Sequence, residues 1–183
     1  MRGLPILLAV LAVAVPTEAL ARKVPSDIPS SELDPGERHA LDRALDAYED
    51  ARAMLAREDF RTIEEPARRI ALRLDEANEG LGPHHPLKEP ISRALAAADR
   101  LGSARRLDAA REQFGELSRR LVQVVRAEDR LRAGRALFYC PMVKGYPYWI
   151  QTTETLENPY VGPAMKDCGK RAGWDEPDVT TPS

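Results

Sequence analysis

The chain has only two cysteines, three histidines and ten aromatic residues among 183 residues. Two cysteines exclude a densely cross-linked scaffold, and no C-x-x-C marks a thiol oxidoreductase. The motifs G-x-S-x-G and H-E-x-x-H are missing, as is a phosphate-cradling glycine loop, so no catalytic constellation is expected. Glu154 and Glu157 flank Leu156 without an identifiable acid–base partner. A net charge of -2, with no basic-aromatic motif, points away from nucleic acid. Lysine is scarce, 5 residues against 22 arginines. The simplest account of that imbalance is genomic composition.

Long apolar runs are confined to the first segment. Arg2 precedes LPILLAVLAVAV, and Ala19-Leu20-Ala21 fits a small-x-small cleavage site. The run is short for a membrane span. The expectation is a signal peptide over 1–21, cleaved after Ala21. No stable membrane insertion is expected afterwards, and the mature chain belongs in the periplasm or another exported, oxidising location. Residues 22–33, rich in Pro and Ser, read as a flexible lead.

What is abundant is Leu and Ala at helical spacing. Asp34, Pro35 and Glu37 form a helix-start signal, after which Leu41, Leu45, Tyr48, Ala51 and Leu55 share one face. A second helix opens at TIEEP, with Thr62 as cap and Ile63, Ala67, Ile70, Leu74 and Ala77 as its stripe. A third covers about 87–101, and a fourth about 103–133. In the fourth, Leu107, Ala110, Phe114, Leu117, Leu121, Val124 and Leu131 alternate by three and four, and Glu128 interrupts the seam. These features predict an all-α, up-down four-helix bundle over 34–135. The first helix region is acidic and the fourth basic, a compatible pair for neighbours.

After Gly134 the grammar changes to Tyr, Pro, Gly and Trp. Residues 136–172 read as an irregular element packed on the bundle, and 173–183 as a tail. This element holds both cysteines, each near a methionine: Cys140 with Met142, and Met165 with Cys168. Two readings use the same four residues. Thiolate and thioether sulfurs suit a soft ion such as Cu(I) or Ag(I), with Tyr146, Tyr148 and Trp149 as a dry shell. Alternatively, the cysteines form a disulfide, the usual fate of a lone pair in an exported protein, with the methionines as core filler. Closing that loop is worth roughly 3–4 kcal/mol in the chain-entropy model. Asn158 is expected to fold onto its own backbone ahead of Pro159 and to fix the approach of Met165 and Cys168. His84 and His85 lie in a turn, and His39 in a first helical turn; all three are expected at the surface, so zinc is disfavoured.

The ordered elements YCPM, YWIQ, ENPYVGPAM and DCG resemble a little-characterised family of bacterial periplasmic helical domains. Its members read approximately C-P-M, then W, then N-P-Y-x-G-x-x-M-x-x-C-G. Here these are Cys140, Pro141 and Met142; Trp149; Asn158, Pro159, Tyr160 and Gly162; and Met165, Cys168 and Gly169. Members occur alone or appended to the periplasmic adaptor subunit of copper and silver efflux systems. The resemblance implies a non-enzymatic metal-homeostasis accessory protein. Cys140, Met142, Met165 and Cys168 would be its metal ligands, and a metal-efflux or other envelope protein its partner. Val143 and Lys144 depart from the small residues that often follow the family's C-P-M, and an inward Lys144 would oppose a bound cation. A disulfide-clamped interaction module that binds no metal is the other expectation.

Overall fold

The computed structural model describes residues 33–178. The expected signal peptide and most of the lead lie outside the described residues. Four α-helices come first: α1 (Pro35–Ala56), α2 (Glu64–Gly80), α3 (Lys88–Gly102) and α4 (Leu107–Ala127). Each packs on the next, α1 on α2, α2 on α3 and α3 on α4. The apolar stripes expected for α1 and α2 are buried throughout. Small alanines such as Ala44, Ala67, Ala94 and Ala97 lie at the helix contacts and are buried, which lets the backbones approach closely.

Helix ends follow the local chemistry with two exceptions. At α1, Glu37 N–H donates to Asp34 Oδ1 (2.8 Å) and Asp34 N–H donates back to Glu37 Oε2 (2.9 Å), a reciprocal capping box. Thr62 makes no such cap for α2: position 63 is already helical, and the Thr62 carbonyl accepts from Glu65 N–H instead. α4 stops at Ala127, short of the expected 133, because Glu128 leaves helical geometry. Its carboxylate accepts from Arg130 N–H and begins a 3-10 turn over Asp129–Arg132. The interruption in the seam is therefore a helix end.

The expectation of an all-α protein needs correction. Residues after 135 form a three-stranded antiparallel sheet: β1 (Ala136–Tyr139), β2 (Tyr148–Gln151) and β3 (Lys170–Ala172), in the order β2-β1-β3. β1 pairs Leu137 with Ile150 and Phe138 with Trp149 on one side, and Phe138 with Arg171 on the other. β2 is buried at all four positions, so it lacks the alternation that marks a half-exposed strand.

The sheet closes the seam between α1 and α4. There Tyr48 of α1 stacks on Phe114 of α4 at 4.7 Å between ring centroids. β2 lies over this pair, with Ile150 N–H donating to Tyr48 Oη (3.3 Å) and Tyr160 packing on Phe114. Residues 173–178, expected as the start of the tail, also lie against the fold. Trp174 packs on the core, and Arg126 of α4 donates to Asp178 and to the Glu176 carbonyl.

Candidate functional site

Cys140 follows β1 and Cys168 precedes β3, so pairing of these strands brings the two cysteines together. They form a disulfide, with Cα atoms 5.8 Å apart. Cys140 is fully buried and Cys168 half-buried. Neither sulfur is a thiolate in this state, and therefore neither is a soft-metal ligand while the bond is intact.

The methionines are not core filler. Met142 is 71% exposed and Met165 52% exposed, and only Leu72 joins them as an exposed large hydrophobic residue among those described. Core packing therefore does not account for either thioether. Met142 sits in a turn fixed by Val143 N–H donating to the Cys140 carbonyl (3.2 Å). Met165 ends a short 3-10 turn over Pro163–Met165. Lys144 is exposed and lines the groove beside Met142.

Asn158 is the organiser of the second loop. Its side chain is buried, and Oδ1 accepts from Tyr160 N–H (2.8 Å), which folds the chain over Pro159 as expected. Nδ2 donates to the Cys168 carbonyl (2.7 Å), and the backbone N–H donates to the Lys166 carbonyl (2.8 Å). One residue thus holds the stretch that carries Met165 and Cys168. Trp149 is a packing anchor, fully buried, with its N–H on Gln151 Oε1 (3.1 Å). The glycine after Cys168 answers to this indole. Gly169 has φ +146°, and a Cβ there would lie 2.8 Å from Trp149 Cη2.

Arginine chemistry in this region was missed by the sequence reading. Arg52 of α1 is 1% exposed; it donates to the Glu157 carbonyl (2.7 Å) and lies between the Glu49 and Glu157 carboxylates. Arg111 of α4 donates to the carbonyls of Pro159 (3.1 Å) and Val161 (2.8 Å) and to Glu58 (3.2 Å). A planar guanidinium with five donors can grip several carbonyls at once, which an ammonium cannot do in that fork geometry. No local sequence pattern announces such contacts, because the partners lie about fifty to a hundred residues away.

Burial raises the phenol pKa values of Tyr48, Tyr146 and Tyr160 well above the ordinary range by desolvating the phenolate. Beside Met142, a groove of about 670 Å³ runs between α4 and the 142–146 turn, with Gly115, Val143, Tyr146 and Tyr160 among its lining residues. The histidines stay apart from the sulfurs in their roles: His39 and His84 are exposed, and His85 Nδ1 accepts from Leu87 N–H. Among the described residues no group of three or more His, Cys, Asp and Glu side chains is placed to hold a metal ion. None of their helices is long and apolar enough to cross a membrane.

No protein-family model, curated protein or solved structure matches the chain.

Proposed function

We propose that the protein is an exported, non-enzymatic metal-homeostasis accessory protein that binds one Cu(I) or Ag(I) ion when its disulfide is reduced. The observation that carries this reading is the solvent exposure of Met142 and Met165 on the two loops that the disulfide joins. Reduction adds two thiolates to two thioethers, a donor set that suits a soft monovalent ion. The thiolates contribute charge, and the thioethers contribute coordination without further charge. The resemblance of the C-P-M and N-P-Y-x-G-x-x-M-x-x-C-G elements to copper- and silver-associated domains supports the same choice, and favours an efflux or other envelope protein as partner.

A second reading is favoured by a separate observation. The disulfide is closed, and the groove beside Met142 offers a partly apolar floor. On that reading the protein is a clamped interaction module that binds no metal.

A competition titration of the full chain against a Cu(I) chelator separates the two. Fully reduced protein should withdraw one Cu(I) per chain, and oxidised protein should withdraw far less. M142L/M165L should weaken the reduced protein's binding, and C140S or C168S should weaken it more. Reduced protein that fails to compete would sink the metal reading in favour of the clamp, and competition that is unchanged in M142L/M165L would remove both methionines from the ligand set.

A further inference from the structure

Residues 162–173 form a strap that ends in the edge strand β3, and its fastenings are unequal. Both flanks are held by the bundle. Arg111 grips the Pro159 and Val161 carbonyls ahead of it. Behind it, Arg126 grips Asp178 and the Glu176 carbonyl, and Arg132 lies 3.4 Å from Asp175. The middle is held by less. Residues 163–167 are all exposed, so little apolar burial fixes them. β3 has three residues and one strand partner. Asn158 supplies two hydrogen bonds, and the disulfide supplies the one covalent tie. Beneath the strap lie Trp149 and Leu156, both close enough to meet a Cβ at position 169.

We propose that the disulfide is a redox-operated latch on this strap. Reduction lets residues 163–172 lift from β1 and Trp149 while the arginine-held flanks stay docked. The lifted state exposes the β1 edge at Leu137–Tyr139 and the indole of Trp149. The inference goes beyond the metal reading and does not require it.

The chemistry has a direction. Cys168 is half-buried and Cys140 fully buried, so an incoming thiolate from a dithiol reductant reaches Cys168 Sγ first. A mixed disulfide forms there, and the electron pair of the broken S–S bond leaves on Cys140 Sγ, which takes a proton. The reductant's second thiol then attacks the mixed disulfide and leaves as part of an oxidised reductant. Cys168 takes the second proton, and both cysteines end as thiols.

Hydrogen exchange on the full chain, metal-free, with and without dithiothreitol, tests the latch. Reduction should speed exchange of the 163–172 amides and the β1 amides facing them by roughly tenfold or more, while the α1–α4 amides keep their protection. C140S/C168S should reproduce the reduced pattern without reductant. In a W174F background, acrylamide should quench Trp149 more strongly after reduction. Unchanged strap protection would overturn the proposal. Loss of protection spreading through all four helices would overturn it equally, since the disulfide would then be a clamp on the whole fold.

Discussion

Leucine and alanine fill the helical bundle, whereas Phe138, Tyr148, Trp149 and Tyr160 fill the C-terminal element. In the bundle, Ala67, Ile70, Leu74, Ile91, Ala98 and Leu101 are all fully buried, so each contributes a modest share of a large apolar interior. In the C-terminal element a single indole, a single asparagine, one disulfide and a few guanidinium contacts carry the arrangement. The difference follows from element length. Helices of 15 to 22 residues satisfy their own backbone and present long stripes. Strands of three and four residues cannot, so their loops rely on side chains to satisfy backbone carbonyls. Redundancy in one region and dependence on single residues in the other is the testable content of this contrast.

The largest effect is expected at Trp149. W149A should cost about 3–5 kcal/mol in chemical denaturation, through lost burial and the cavity left behind. A cost no larger than that of a surface substitution would remove this region's dependence on one indole. N158A comes next, at about 1–3 kcal/mol, because the part-buried Cys168 carbonyl and Tyr160 N–H both lose a partner. Amide exchange should localise its effect to residues 158–170. D34A should be smaller, about 1 kcal/mol by thermal or chemical melting, since it removes one exposed cap from a long, well-packed helix.

The smallest effect at neutral pH is expected from tyrosine ionisation. The folded pKa values of Tyr48, Tyr146 and Tyr160 are raised, so the folded state holds these protons more tightly than the unfolded chain does. Their contribution is fully present below the ordinary tyrosine value near 10 and is lost as pH rises above it. Ultraviolet titration should find these three phenols silent until the protein unfolds in alkali. Y48F should then reduce the alkaline loss.

The bundle was legible because its signals are local and periodic. The stripe from Leu41 to Leu55 and the Asp34–Glu37 box need no knowledge of the rest of the chain. Asn158 was legible for the same reason, since an asparagine before proline folds on its own backbone. The strands were not. YWIQ is buried on every side and ALFY is four residues long, so neither carries a period of two. The roles of Arg52 and Arg111 were invisible because a guanidinium on one element and a carbonyl on another share no sequence neighbourhood. Spacing alone also left the two cysteines undecided, since the same residues serve a disulfide and a soft-ion site. The exposure of both methionines could not be read from spacing either.

Two tyrosine hydroxyls stand where a fourth strand would otherwise be. On the outer edge of β2, Ile150 N–H donates to Tyr48 Oη and the Tyr148 carbonyl accepts from Tyr160 Oη (2.7 Å). The opposite edge is β3, short and carrying exposed Lys170 and Arg171. A sheet polymerises by recruiting a strand onto an unoccupied ladder, and short, charged edges discourage it. One rim here is already taken by Tyr48 of α1 and by Tyr160, and the other offers only three residues beside two positive charges. With the disulfide intact, adding a strand from another copy at β2 would require stripping the sheet from the helices first.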